Sequence, residues 1–183
     1  IDKHHIISKI GLSKCYFALY QFDKALELYE VRKKGQTSKV KIINNLIAKF
    51  DCKEWLGEPI KNKTILILSE QGIGDNIQFA RYIFWLKEKF NCNIVFYINE
   101  KNSHLFENCP CEIETKIENI KKVDFFQHLL SLQYIHFKKE KTFKKCISFI
   151  PSEIKKEQEW KKKLNHLKKP IIAIQWKGNK NFL

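Results

Sequence analysis

The sequence predicts an α/β protein with a mainly parallel sheet, preceded by a helical hairpin, and three observations lead to this prediction. Apolar residues recur at helical spacing through the first 50 residues. After Lys63 the pattern changes to short, continuous apolar runs, which are typical of buried parallel strands. Stretches of helical length and composition separate these runs, and such alternation of strands and helices indicates a parallel sheet.

The first 50 residues contain two apolar runs of helical period, separated by a short break near Tyr20 and Gln21. We expect two short antiparallel helices, with the small Ala25 at their contact, and a third helix over residues 39–50. The apolar positions of the two runs are Leu12, Tyr16 and Leu19, then Phe22, Ala25, Leu26 and Tyr29.

Glycine and proline in the segment Trp55–Pro59 interrupt the chain, so we place a boundary at residues 51–62. The first strand is expected over Thr64–Leu68, directly before a polar turn. The remaining predicted elements are a helix over 76–90, a strand over 93–98, a short helix over 101–108, weaker strands over 111–117 and 123–127, a charged helix over 152–167 with Ser152 as N-cap, and a strand over 171–176.

The formal net charge of +14 raises the possibility of a nucleic-acid surface. Of the 34 basic residues, however, only Arg32 and Arg81 are arginine. Nucleic-acid sites favour arginine because its planar guanidinium pairs with phosphate and guanine through two hydrogen bonds. The lysines are spread over the whole chain, so we favour a compositional bias and expect no nucleic-acid partner.

The cysteine pattern argues against a metal site and against a disulfide framework. None of the six cysteines forms a C-x-x-C pair or a zinc-type cluster with histidine. We expect reduced thiols in a cytoplasmic protein, and the absence of any apolar run near 18 residues predicts no membrane span. The chain lacks methionine and begins at Ile1, so we expect a piece of a longer protein.

The segment Gln71–Asp75 carries the most informative motif, because it joins the first predicted strand to the first helix. Ligands of open α/β sheets bind beyond such strand ends. A dinucleotide fingerprint is excluded because Ile77 takes the third glycine position, and no lysine follows as a Walker loop requires. From these residues alone, Asp75 is either a helix N-cap or a general base that faces the crevice.

The segment Glu70–Tyr82 resembles the signature of bacterial proteins in which tetratricopeptide repeats precede a glycosyltransferase domain related to glycosyltransferase family nine, the heptosyltransferases. The segments Trp55–Pro59, Asp124–Leu132 and Ile174–Asn179 match the same pattern in order. The apolar positions of the first 30 residues also resemble a tetratricopeptide repeat, although Tyr20 stands where that repeat usually has glycine.

The resemblance implies a GT-B fold with two lobes. It assigns residues 1–50 to the end of a repeat array, 51–62 to a linker, 63–169 to a Rossmann-like acceptor-side lobe, and 170–183 to the start of a donor-binding lobe. It implies metal-independent transfer from a nucleotide-diphosphate sugar to a protein or glycan acceptor, without a further cofactor. The repeats would bind a protein partner.

The resemblance also implies roles for individual residues, with Asp75 as the catalytic base. His128 could instead be a structural histidine, and Arg81 could pair with a group at the sheet edge. The residues implied in acceptor binding are Gln71, Gly72, Gly74, Asn76, Gln78, Arg81 and His128.

The residues implied in donor binding are Gln175, Trp176, Gly178 and Asn179. Lys177 departs from the family, which usually has a small residue there. The alternative function is a non-catalytic protein-binding module, in which the repeats bind the partner and the α/β lobe is degenerate.

Overall fold

The computed structural model describes residues 5–35 and 38–174. The chain divides into two compact units, Ile1–Pro151 and Ser152–Leu183. The first unit holds the sheet and the helices packed on it, and the predicted boundaries near residues 50 and 62 fall inside this unit. The helices of the first unit are α1 Ile6–Ala18, α2 Phe22–Tyr29, α3 Ser38–Ile47, α4 Ile73–Phe79, α5 Arg81–Phe90, α6 Glu100–Ser103 and α7 Ser131–Glu140.

Five parallel strands form one sheet, in the order β1-β5-β2-β3-β4. The chain runs from β2 outward to β3 and β4, and then returns to place β5 on the other side of β2. The order of the strands therefore reverses between β2 and β5, which is where ligands of open α/β sheets bind. The strands are β1 Lys53–Glu54, β2 Thr64–Leu68, β3 Asn93–Tyr97, β4 Glu112–Glu114 and β5 Phe125–His128.

Both faces of the sheet are covered, as expected for a parallel sheet. Alternate residues of β2 point to opposite faces, so Ile65 and Ile67 join one apolar cluster while Leu66 and Leu68 join the other. The larger cluster includes side chains of α4, α5 and α7. The smaller one includes Leu46 of α3, so the third helix packs on the sheet. This two-sided burial confirms the α/β class.

The helical hairpin α1–α2 has the predicted break between its helices. Tyr20 adopts a left-handed conformation with φ of +58°. A tetratricopeptide repeat usually has glycine at this position, and glycine adopts such a conformation without strain. Ala25 is fully buried at the contact between the two helices, and the Ser13 hydroxyl donates to its carbonyl oxygen at 2.8 Å. The bulky Tyr20 thus makes the turn, and the small Ala25 allows the two helices to pack closely.

The hairpin contacts the sheet-bearing part of the unit through aromatic side chains. The ring of Phe22, at the start of α2, lies 5.9 Å from that of Phe137 in α7 and 4.9 Å from that of Phe143. Both pairs are edge-on, an arrangement that aromatic rings favour. α7 is therefore the helix that joins the hairpin to the sheet.

Several predicted elements differ from those observed. The helix expected over 76–90 begins earlier, at Ile73, and is divided into α4 and α5 at Ala80. The Ile83 amide donates to the Ala80 carbonyl oxygen at 2.8 Å, three residues back rather than four, so the helix is tightened there. Two other elements are shorter than predicted: the strand expected over 111–117 is only Glu112–Glu114, and the helix expected over 101–108 is α6 followed by a 3₁₀ turn.

Helix α7 was not predicted. It buries Leu132, Ile135, His136 and Phe137, which lie on more than one side of the helix, together with Ser131. A helix enclosed in this way shows no single apolar stripe, so its periodicity does not stand out in the sequence. A strand was expected over 123–127, and the observed strand β5 lies slightly later, over Phe125–His128.

The second unit contains one described helix, α8, over Ile154–Leu164. The prediction of Ser152 as its N-cap is wrong, because Glu153 occupies that position and makes no side-chain capping bond. Residues 171–174 form no strand, and residues 175 and 176 of the predicted strand lie outside the described residues. Within the described part of the chain, no helix is long and apolar enough to cross a membrane.

Candidate functional site

The loop after β2 places Asp75 in the first turn of α4. Gly72 precedes the helix, and its amide donates to Oδ2 of Asp75 at 3.1 Å. Asp75 is therefore not the N-cap itself but a residue of the first turn whose carboxylate binds back to the N-cap amide. Its side chain is half-buried, so one side of the carboxylate remains near solvent.

The sharp turn in this loop is made by Gln71, which has φ of +62°. Gly72 has an extended conformation that any residue can adopt. A Cβ atom at Gly74 would meet no atom within 4 Å, so this glycine leaves an open surface beside Asp75. The glycines therefore act by leaving space, while the backbone strain falls on Gln71.

The amide side chains near this loop have different environments. Gln71 donates to the hydroxyl of Tyr29 at 3.0 Å, which ties the loop to the helical hairpin. Asn76 is buried, and its Nδ2 donates to the Gly72 carbonyl oxygen at 3.1 Å, so it supports the loop from inside. Gln78 is exposed one turn further along α4. Gln71 and Gln78 are thus both exposed, and Asn76 is the buried amide of the three.

The crevice beyond β2 and β5 is filled by an arginine from the helical hairpin. Arg32 lies in a 3₁₀ turn after α2 and is 7% exposed. Its Nε donates to Oε2 of Glu70 at 3.1 Å, and its Nη2 donates to Oε1 at 2.7 Å. The two parallel bonds form the bidentate pair that guanidinium and carboxylate groups favour. Glu70 follows β2, so the pair lies at the strand-order reversal.

Further groups complete what we call the Arg32 cluster, which comprises Glu30, Arg32, Lys33, Glu54, Glu70 and Ser131. Nη1 of Arg32 lies 2.6 Å from Oε1 of Glu30, and its Nη2 lies 2.8 Å from the Ser131 hydroxyl oxygen. The Ser131 hydroxyl donates in turn to Oε2 of Glu30 at 2.7 Å. Lys33 bridges Glu30, at 2.8 Å, and Glu54. The cluster joins the hairpin to β1, β2 and α7.

The charges of the cluster are mutually stabilised despite their burial. Burial by itself raises the pKa of the Glu30 carboxyl, but the positive charges of Arg32 and Lys33 outweigh it and hold that pKa below its ordinary value. Burial opposes the charged form of Arg32 as well, yet Glu70 and Glu30 raise its pKa. Each charge in the cluster depends on its partners, because an isolated buried charge is costly.

His128 is the last residue of β5 and faces the Arg32 cluster. Its Nδ1 atom lies 3.9 Å from Oε2 of Glu70, beyond hydrogen-bonding distance, and has no hydrogen-bond partner among the described residues. Burial lowers the pKa of His128, with Glu70 opposing this shift and Arg32 and Lys33 reinforcing it. The residue is 5% exposed and lies in β5, so it is a buried strand residue rather than a loop residue that faces an open cleft.

Arg81 lies in a different environment, which we call the Arg81 groove. Ile77, Gln78 and Arg81 form one wall and residues 146–150 form the other, around a space of about 230 Å³. Arg81 is half-buried, its guanidinium carbon lies 5.3 Å from the Tyr82 ring centroid, and its Nη1 donates to the sulfur of Cys146 at 3.0 Å. Within residues 5–35 and 38–174, no carboxylate lies within ion-pair distance of Arg81.

The structure thus brings the predicted site residues to two places. Gln71, Gly72, Asp75 and Asn76 form the loop after β2, and Gln78 and Arg81 line the groove. His128 instead is buried beside the Arg32 cluster. The predicted donor-binding residues lie outside the described residues, and they are Gln175, Trp176, Gly178 and Asn179.

The main feature that the sequence analysis missed is the Arg32 cluster. One signal for it was present, because Arg32 and Arg81 are the two arginines of a chain that otherwise uses lysine. Arginine is needed where a planar group must bind two oxygens at once. Arg32 is paired with carboxylates, whereas Arg81 has no such partner in the part of the chain that the structure describes.

The fold and these contacts define an α/β protein in which Arg32, from the turn after the helical hairpin, pairs with Glu70 at the strand-order reversal. Comparison of the chain with protein-family models, with curated proteins and with solved structures found no match. No group of three or more metal-binding side chains occurs in the part of the chain that the structure describes.

Proposed function

We propose that this chain is the acceptor-side part of a glycosyltransferase that uses a nucleotide-diphosphate sugar, with a Rossmann-like lobe preceded by a tetratricopeptide-like hairpin. The observation that carries the proposal is the position of Asp75. It lies in the first turn after the first central strand, half-exposed, beside the open surface at Gly74. This is the edge of the sheet at which ligands of open α/β folds bind.

In this proposal, Asp75 acts as a general base whose carboxylate is held by the backbone. Its Oδ2 accepts the Gly72 amide, which fixes the direction of the carboxylate. The carboxylate would take the proton of an acceptor hydroxyl as that oxygen forms a bond to the anomeric carbon. The bond from the anomeric carbon to the diphosphate oxygen breaks, and the nucleotide diphosphate leaves with the electron pair.

The donor would bind through residues outside the described part of the chain, in the second lobe that the resemblance implies. By the resemblance, this lobe would begin with Gln175, Trp176, Gly178 and Asn179. The described residues alone should therefore bind acceptor but not donor. A nucleotide-sugar that bound the 183-residue chain tightly in calorimetry would contradict this division of roles.

The test is the variant Asp75→Asn in a gene product that contains both lobes. Asparagine can still accept the Gly72 amide through Oδ1, so folding should be preserved, but it cannot take a proton. We expect transfer from a labelled nucleotide-sugar to fall by about 10²-fold or more, the usual contribution of a general base. Asp51→Asn, at an exposed aspartate before β1, is the matched control and should retain full activity.

Full activity of Asp75→Asn would show that the base assignment is wrong.

A second function, a protein-binding module, is favoured by one specific observation: the Arg32 cluster fills the crevice and fixes the hairpin to the sheet. Exposed apolar side chains of α1, Ile7 and Leu12, would then contact the partner. This alternative predicts no transfer by either the parent chain or the variant.

A further inference from the structure

The Arg81 groove is separate from the Arg32 cluster and is open to solvent. Its walls are largely apolar, with Ile77, Ile147 and Phe149 among the lining residues and the Arg81 guanidinium at one side. Its volume of about 230 Å³ is somewhat below the range of roughly 300–1,000 Å³ for pockets that enclose whole small ligands. The groove therefore fits one small chemical group rather than a nucleotide-sugar.

The charge of Arg81 is not neutralised by the described residues. Its Nη1 donates to the thiol of Cys146, which is a weak acceptor, and its Nε is buried without a hydrogen-bond partner. Arg32, in contrast, contacts two carboxylates. A guanidinium in a part-buried, mostly apolar site is stabilised by an anion, and a planar carboxylate matches its two-pronged geometry.

We propose that the Arg81 groove binds a small carboxylic acid with an apolar body. Arg81 pairs with the carboxylate, while Ile147 and Phe149 contact the apolar part. Gln78 lies at the same groove and three residues after Asp75, a rise of about 4.5 Å along a helix. A ligand in the groove thus lies within reach of the loop that carries Asp75.

This inference deepens the proposed function in one respect. The view that the bound acid is part of the acceptor rests on the proposed glycosyltransferase, since only then does Asp75 act on it. Binding of the acid does not rest on that function. It depends only on the groove and on the unneutralised charge of Arg81.

The binding test uses 3-phenylpropionate, with the uncharged 3-phenylpropionamide as its control. Both are titrated into the isotope-labelled 183-residue chain and followed by NMR. The acid should shift the resonances of Arg81, Ile147 and Phe149, and should bind at least 10-fold more tightly than the amide, as expected for a hydrogen bond between charged groups. Equal affinity of acid and amide, or no shift at these residues, would overturn the proposal.

A second readout in the unmodified chain uses the two exposed cysteines. Cys146 lines the groove, whereas Cys15 lies in α1. Saturating 3-phenylpropionate should slow the alkylation of Cys146 by iodoacetamide several-fold, measured by mass spectrometry, and should leave Cys15 unchanged. Equal rates at Cys146 with and without the acid would also count against the groove.

The variant Arg81→Gln should weaken binding of the acid at least 10-fold and leave binding of the amide unchanged. Lys145→Gln is the matched control, because it removes the same charge from an exposed position beside the groove. If both variants weaken binding equally, the acid responds to the general positive charge and the proposal fails. If the acid binds as expected while Asp75→Asn retains transfer, the groove is an acid-binding site but Asp75 is not the catalytic base.

Discussion

The two arginines of this chain occupy sites of opposite character. Arg32 is 7% exposed and contacts Glu70, Glu30 and Ser131, so its hydrogen-bonding capacity is largely used within the protein. Arg81 is half-buried beside an open groove, and the hydrogen-bond acceptor found for it is the sulfur of Cys146. The same side chain is thus structural in one region and available to a ligand in the other.

The difference shows that position in a parallel sheet does not by itself identify a binding site. The strand-order reversal between β2 and β5 is the expected place for a ligand. In this chain Glu70 and His128 lie there, but the guanidinium of Arg32 fills the space between the hairpin and the sheet. The open surfaces lie further along α4, at Gly74 and at the Arg81 groove.

The largest effect is expected from Arg32→Met, which keeps an unbranched apolar stem but removes the charged guanidinium. Glu30 and Glu70 would remain buried without their main partner, and such a loss costs about 3–5 kcal/mol. The free energy of unfolding, measured by urea denaturation, should fall by this amount. Lys34→Met, at an exposed position of the same 3₁₀ turn, is the control and should change it little. A loss below about 1 kcal/mol for Arg32→Met would contradict a structural role for the cluster.

A smaller effect is expected from acidification, through His128 beside the Arg32 cluster and Glu30 within it. The pKa of His128 is lowered in the folded chain, so the unfolded chain gains a proton more readily once the pH falls below about 6.5. Stability should therefore be full above that pH and decline below it, by at most about 1.4 kcal/mol per pH unit for one histidine. The lowered pKa of Glu30 extends the decline below pH 4.5, the ordinary value for its carboxyl.

The measurement is the urea midpoint at pH 7.5 and pH 5.5, with and without His128→Gln. Burial also lowers the pKa of His136, whose Nδ1 donates a hydrogen bond to the Thr142 carbonyl oxygen at 2.9 Å, so part of the decline should remain in this variant. The variant His136→Gln should remove the part of the decline in stability that comes from His136. If His128→Gln leaves the pH dependence unchanged, His128 is not a neutral group in the folded chain.

The smallest effect on stability is expected from Arg81→Gln. This change breaks no ion pair among the described residues, and its main losses are the contacts with Cys146 and with the Tyr82 ring. The free energy of unfolding should change by less than about 1 kcal/mol, within the range of cation–π and weak hydrogen-bond contributions. A loss as large as that for Arg32→Met would mean that Arg81 is structural too, and the contrast between the two sites would disappear.

The elements that the sequence predicted well are those with a local signal. The strand Thr64–Leu68 was predicted with its observed bounds, and the hairpin with its break at Tyr20, because continuous apolar runs and helical spacing can be read from neighbouring residues. The division of the long helix at Ala80 and the whole of α7 were missed. Both depend on burial against other parts of the chain, which leaves no simple period in the sequence.

The candidate site divides in the same way. The loop Gln71–Asp75 could be located from its sequence, since it follows a strand and opens a helix. The contacts of Arg32 with Glu70 and Ser131 join residues 38 and 99 positions apart, and no local pattern indicates such pairs. Arg32 and Arg81 were both noted as exceptions in a lysine-rich chain, but their different roles could not be separated without their neighbours.

The sequence by itself determined the α/β class, the order of the central elements and the place of the Gly-Asp loop, because these follow from short-range patterns of apolar and turn-forming residues. The tertiary structure alone decided which polar groups became partners. It buried Arg32 between two carboxylates and, among the residues that the structure describes, gave Arg81 none. The physical reason is that the state of a charged side chain depends on its solvent exposure and on oppositely charged groups within a few ångströms, and the fold brings these together from distant parts of the chain.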